Sequence, residues 1–247
     1  MINFDNSKFF YDPFPHCILD GFLENKIYDE ICNEYPEQSY FEEVKSKHGD
    51  DKFKKYRFTN SQKNTKIFDK FISSTKSTKK FYNYLNSEKF IKSLDEFFLD
   101  NQIELRFNNQ ENSNIKKIIK NFFFKRPKID FEFSSIPIQE GYILPHTDGG
   151  NKLVGFVIPI IDNNNIFNAE NLGTKIFRAK TDKYKFNFYN KTVPLEHAEL
   201  IRELPFKRNQ MSLHIKTFNS LHGVGPIINK SNDQTLFRKS ISIFLLK

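Results

Sequence analysis

A β-rich core in the second half of the chain, flanked by helices from the first half, is the fold class the sequence predicts, and three observations carry it. Beyond residue 130, six short runs rich in β-branched and aromatic residues succeed one another: "FEFSSIPI", "LVGFVIPI", "GTKIFRA", "KFNFY", "QMSLHIK" and "SISIFLL". Seven of the nine glycines fall in that half, most of them at turns between runs. Before residue 130 the apolar residues recur instead at three and four, the period of a helix packed on one face. Strand after strand without intervening helices predicts a sandwich or barrel rather than an alternating parallel sheet. At 247 residues the chain suits a single domain over 1–247, with a helical and flanking part over 1–125 and the β core over 126–247.

The elements follow in order. In "LENKIYDEICNEY" Leu23, Ile27, Ile31 and Tyr35 make one helix face, and Pro36 ends it. The lysine clusters at 48–58 and 74–81 are interrupted by acids and hydroxyls and read as polar loop or helix face. A further helix spans "NSEKFIKSLDEFFLD", with Ser87 as its N-cap and Phe90, Ile91, Leu94, Phe97 and Phe98 as its buried stripe. Residues 108–120 read as an exposed loop leading into a strand near "NFFFKR", and the Asn-rich 162–171 as a second loop. The segment 178–205 is long for a connector, with "PLEHAELIREL" read as a helical or irregular insertion, and suggests a lid over the open end of the barrel.

Composition narrows the partners. The formal charge of +8 comes from 31 lysines and only 7 arginines, spread through a chain rich in Phe, Asn and Ile, which reads as a solvated surface and disfavours nucleic acid. The longest apolar run, "VGFVIPII" at 154–161, is far short of a membrane span. No signal-peptide pattern opens the sequence, and Cys17 and Cys32 are too few for a disulfide framework, so a cytoplasmic location is expected.

The chemistry concentrates at "PHTDGG", residues 145–150. In extended chain His146 and Asp148 project to one face while Thr147 points away, which offers two thirds of a metal site. The same residues also make ordinary turn chemistry. Several histidines could be the third ligand. His214 alternates with Met211, Leu213 and Ile215, which places it on the polar face of its strand, in solvent. His197 lies in the 178–205 insertion, and His16 and His48 belong to the other half. His222, in "SLHGVG", follows a strand and a short loop and precedes two glycines, so it is the best candidate. Two histidines and one carboxylate on a β scaffold match the facial triad of non-haem iron, which keeps positions open for substrate and oxygen. On the last strand, "FRKSISIFLL", Arg238 and Ser240 share a face. An inward guanidinium is costly unless it meets an anion, and its fork suits a carboxylate.

His146, Asp148, His222, Arg238 and Ser240, in that order, resemble the iron(II) and 2-oxoglutarate-dependent dioxygenase superfamily, in its prolyl-4-hydroxylase-like branch. The resemblance runs over roughly residues 12 to 246, including "DPFPHCILDGFLENKIYDEICNEYP", "GYILPHTD" and "NLGTKIF". It implies a double-stranded β-helix, a jelly-roll or cupin-like barrel. It implies Fe(II) held by His146, Asp148 and His222, 2-oxoglutarate as cosubstrate with its far carboxylate on Arg238 and Ser240, and O2. The reaction implied is hydroxylation of an unactivated carbon with release of succinate and carbon dioxide. Tyr142 and Leu144 share the face of His146 and are expected to line the pocket, Tyr142 either touching the cosubstrate or serving as a core aromatic. The expected substrate is a small molecule or a peptidyl, amino-acid-type group. Rival functions are a halogenase, opposed by Asp148, an oxidative demethylase of nucleic acid, opposed by the absence of a second arginine in "ISIFLLK", and a non-catalytic metal-binding barrel, opposed by the intact constellation.

Overall fold

The computed structural model describes residues 1–44, 54–60, 65–103, 127–139, 141–162, 164–187, 190–230, 233 and 235–247. The strand predicted near "NFFFKR" and the loop at 108–120 lie outside them. Fourteen strands are described: β1 (Ser7–Phe10), β2 (His16–Asp20), β3 (Glu42–Glu43), β4 (Tyr56–Thr59), β5 (Lys128–Pro137), β6 (Ile143–His146), β7 (Lys152–Ile160), β8 (Ala169–Glu170), β9 (Thr174–Ala179), β10 (Ala198–Leu204), β11 (Gln210–Ile215), β12 (His222–Val224), β13 (Ile228–Asn229) and β14 (Phe237–Leu246). The four main helices are α1 (Asn25–Asn33), α2 (Thr65–Ser74), α3 (Ser77–Leu85) and α4 (Glu88–Asp100). None among the described residues is long and apolar enough to cross a membrane.

The strands form an eight-stranded sheet in the order β1-β2-β11-β7-β14-β5-β4-β3, a four-stranded sheet β10-β9-β12-β6, and a small pair β13-β8. Leaving aside the N-terminal strands and the small pair, eight strands remain, from β5 to β14. In chain order the first, third, sixth and eighth lie in the large sheet and the second, fourth, fifth and seventh in the small one. Neighbours are antiparallel throughout. A chain that repeatedly crosses between two facing antiparallel sheets is a jelly roll, and this order is that of the double-stranded β-helix.

Alternation along each strand decides what each face of the large sheet meets. Ile241, Ile243 and Leu245 of β14 point to one side with Phe131, Phe133, Phe156 and Leu213, all nearly or fully buried. The helices cover that side with Phe68, Phe81, Phe90 and Phe98. α4 begins as predicted: the Ser87 hydroxyl accepts the Phe90 N–H at 3.2 Å, and the apolar stripe behind it is buried.

Three expectations are corrected. The first part of the chain is not only helical, because β1 and β2 extend the large sheet beyond β11, and β3 and β4 extend it beyond β5. Of "PLEHAELIREL" only Leu195–His197 forms a helical turn. Ala198–Leu204 is a strand paired with β9, its long exposed side chains being those of a solvent-facing edge. "KFNFY" is not a strand, since Asp182–Lys185 is one helical turn and Phe186 and Asn187 are irregular, while residues 188–189 lie outside the described set.

Candidate metal centre

Strands β6 and β12 are neighbours in the small sheet, and their register sets His146 directly opposite His222. The two rings come within 4.6 Å, centroid to centroid. Each ring is fixed by its own backbone: Nδ1–H of His146 donates to the Leu144 carbonyl, and Nδ1–H of His222 to the Ser220 carbonyl, both at 2.9 Å. The other nitrogen, Nε2, is thereby left with its lone pair turned inward, the arrangement a metal-binding imidazole needs. Asp148 follows β6 with its carboxylate 3.7 Å from His222 Nε2. Ligand atoms of His146, Asp148 and His222 all lie within 4.8 Å of one another. Thr147 points away as predicted, its buried hydroxyl donating to the Asn187 carbonyl at 2.8 Å.

Electrostatics favour the ligand forms. Burial lowers the proton affinity of His146 and, more strongly, of His222, so both imidazoles stay neutral; Asp148 pulls the other way without reversing either. Burial alone would raise the Asp148 carboxyl. The His214 hydrogen bond and the charge of Lys152 hold it well below the usual carboxylate range.

His214 overturns a sequence expectation. Its strand face is the polar one, but that face lines the space between the sheets, and His214 is 3% exposed. Nε2–H of His214 donates to Asp148 Oδ2 at 2.8 Å, while Lys152 Nζ donates to Oδ1 at 2.9 Å. Gly155, directly opposite on β7, makes room: a Cβ there would stand 2.5 Å from the His214 ring. A glycine inside a strand marks such a close approach, and this was the signal in the sequence that could have found His214.

Arg238 and Ser240 lie on the same inward face of β14 and are buried at 3% and 1% exposed. Arg238 Nε donates to the Leu172 carbonyl at 2.5 Å, and Nη1 lies 3.4 Å from the Ser240 hydroxyl. Its guanidinium stacks over Phe206 and forms no ion pair with a described residue. Burial pushes its pKa down to about 10.

His146, Asp148, His222, His214, Arg238 and Ser240 open onto one cavity of about 310 Å³ between the two sheets. Leu144 lines it as expected. Tyr142, half-buried just before β6, does not, because the chain there has not yet entered the strand whose alternation was extrapolated to it. From the 178–205 segment, Asn190 and Thr192 reach the cavity wall. Lys55, Glu132 and Lys152, which carried no signal in the sequence, line it as well.

No family model matches the sequence, and no curated protein matches it. Among solved structures it is similar to a prolyl hydroxylase from Trichoplax adhaerens, in complex with a peptide fragment of the hypoxia inducible factor oxygen degradation domain. Identity is 10%, the match covers 94% of this chain and 83% of that one, and the TM-score is 0.51. A Pseudomonas putida prolyl-4-hydroxylase matches at 8% identity over 94% and 92% of the two chains with a TM-score of 0.46. An oxidoreductase of the 2OG-Fe(II) oxygenase family from Burkholderia pseudomallei matches at 11% over 94% and 84%, with a TM-score of 0.44. At 10% identity the likeness to the Trichoplax protein establishes a shared fold and nothing finer.

Proposed function

We propose that this protein is an Fe(II)- and 2-oxoglutarate-dependent dioxygenase that hydroxylates a carbon of a small-molecule or amino-acid-type substrate. One observation carries the reading: two neutral histidines grouped with an ionised aspartate, and a buried arginine without an ionic partner among the described residues, open onto the same cavity. The donor set fits the group. Two imidazoles with inward Nε2 atoms and one ionised carboxylate, grouped on one side, bind iron(II) and leave further positions open. The buried guanidinium fits a carboxylate, which would relieve the cost of a charge held away from water.

His146, Asp148 and His222 would hold the metal. Arg238 and Ser240 would bind the far carboxylate of 2-oxoglutarate, the guanidinium by its fork and the hydroxyl by a single hydrogen bond. His214 and Lys152 tether the Asp148 carboxylate, and the apolar wall of Ile136, Leu144 and Val224 keeps water scarce around the reacting groups. Bound iron supplies oxygen activation: one atom of O2 enters a substrate C–H bond, and the other enters succinate as 2-oxoglutarate gives up two electrons and carbon dioxide. The fold shared with the Trichoplax prolyl hydroxylase supports the assignment.

The test is succinate release from 2-oxoglutarate by the iron-loaded protein, with and without a panel of metabolites and peptides, scored together with a substrate mass gain of one oxygen. Release stimulated by a panel member is expected. Loss of a methyl group from added nucleic acid, without stimulation by any small molecule or peptide, would replace this reading with a demethylase.

A further inference from the structure

We propose that the substrate is a small acid, whose carboxylate or phosphate oxygens are held by Arg57 and Lys55 on the β4 side of the cavity; this rests on the dioxygenase reading and names its substrate class. Arg57 lies on β4 and Lys55 immediately precedes that strand, so the period of two turns both to one face. Both line the cavity. Across the sheet, Arg57 stands opposite Ser134 of β5, and Ser134 in turn stands opposite Ser240 of β14. The β4 cations therefore share a wall with Arg238 and Ser240, with β5 between them.

Charge sets the sign of what the cavity accepts. Among the described residues, four cations line it, Lys55, Arg57, Lys152 and Arg238, against two carboxylates, Glu132 and Asp148. His146 and His222 are neutral, and the double charge of iron(II) is cancelled by the two carboxylates of 2-oxoglutarate. With both seated, two positive charges are left over in the lining. Glu42, opposite Arg57 in the β3–β4 register but outside the lining, offsets one of them. What is left calls for an anion, and neither a zwitterion nor a cation supplies it.

The other cations have tasks already. Lys152 Nζ is held on Asp148 Oδ1 at 2.9 Å, and Arg238 faces the far carboxylate of the cosubstrate in the reading above. Lys55 Nζ donates to Glu132 Oε1 at 2.6 Å, and the two side chains are only 18% and 7% exposed, so this ammonium is set into the cavity wall and not into the outer surface. Its three N–H groups let it keep Glu132 and still receive an oxyanion. Arg57, exposed where it lines the cavity, offers a fork that takes two oxygens of one carboxylate or phosphate. Size limits the ligand: a cavity of about 310 Å³ that also holds the cosubstrate has room for a compact molecule.

The test is equilibrium dialysis of the full chain, loaded with Mn(II) and saturating 2-oxoglutarate, against a panel of carboxylic acids and phosphate monoesters, with their amides and parent alcohols alongside and retained molecules identified by mass. We expect an acid of one of the two kinds to be retained without displacing 2-oxoglutarate, about tenfold or more tightly than its uncharged derivative. Two variants should move that affinity in opposite directions. Arg57→Gln removes a cation and should weaken binding about tenfold, whereas Glu132→Gln keeps the shape, releases Lys55 to the ligand and should tighten it about threefold, both with 2-oxoglutarate affinity unchanged. A merely structural role for these residues would weaken binding in both. Retention only of uncharged or cationic molecules, retention of no acid by protein that holds 2-oxoglutarate, wild-type acid binding by Arg57→Gln, or weaker acid binding by a folded Glu132→Gln would each overturn the proposal. So would a fall in 2-oxoglutarate affinity in Arg57→Gln, which would assign that cation to the cosubstrate. Failure to bind Mn(II) and 2-oxoglutarate at all would instead bring down the dioxygenase reading beneath it.

Discussion

The two faces of the eight-stranded sheet divide the work of the molecule between them. On the outer face, Phe133 of β5 packs edge-on against Tyr35 and Phe71 and stacks on Phe58, at centroid distances of 5.4, 5.5 and 6.0 Å. One residue to either side on the same strand, Glu132 and Ser134 look into the cavity. β14 repeats the division, with Ile241 and Ile243 outward and Arg238, Ser240 and Ser242 inward. The period of two keeps the groups that stabilise the fold apart from those that do chemistry, although they alternate in sequence. Substitutions on the inner face should therefore remove activity at little cost in stability, and those on the outer face the reverse.

The largest expected effect is on the inner face. His222→Ala should abolish 2-oxoglutarate turnover, leaving the melting temperature within a few degrees of wild type, since a polar cavity wall contributes little to the core; wild-type succinate release by this variant would defeat the metal assignment. On the outer face, Phe133→Ala should cost about 3–5 kcal/mol in a urea titration, the range for deleting a buried phenylalanine, while the folded fraction keeps its metal affinity. A loss of metal binding in proportion to the loss of stability would mean the faces are coupled.

Arg238→Lys keeps the charge and loses the fork, so 2-oxoglutarate affinity should fall by about 1–3 kcal/mol in calorimetry. Unchanged affinity would assign the cosubstrate to another cation. His214→Leu frees Asp148 Oδ2 and should weaken Co(II) binding, followed by its visible absorption, by about tenfold or more, with recovery in His214→Gln, which restores an N–H donor. Equal affinities in all three proteins would make His214 a filler of the space above Gly155.

The smallest effect is on pH dependence. Folding lowers the proton affinity of His146 and His222, so the unfolded chain binds protons more readily in the range below the ordinary histidine pKa. Stability of the metal-free protein should hold above about pH 6.5 and decline as the pH falls below it. Asp148, also lowered, adds a further decline only in the acid range below the ordinary aspartate pKa. A protein more stable at pH 5 than at pH 7 would contradict buried, neutral imidazoles.

Much of this was legible in the residues. Alternation in "FRKSISIFLL" set Arg238 and Ser240 on one face, the spacing of His146 and Asp148 aimed both inward, and helix α4 announced its cap and its stripe. Each of these depends on local periodicity, which backbone geometry fixes over a few residues. Periodicity assigns side chains to faces, but not which face is dry, nor what stands opposite. His214 was placed correctly on the polar face and wrongly in water, because the facing sheet that encloses it is contributed by distant strands. Its partner Asp148 is 66 residues away, and Lys55 and Glu132 are separated by 77. Contacts across such separations are decided by strand order and register, which are set by the packing of the whole sheet. The sequence by itself therefore determined the candidate ligands and the faces, and only the tertiary structure decided the cavity they enclose, the tether on Asp148, and the ion pair between Lys55 and Glu132.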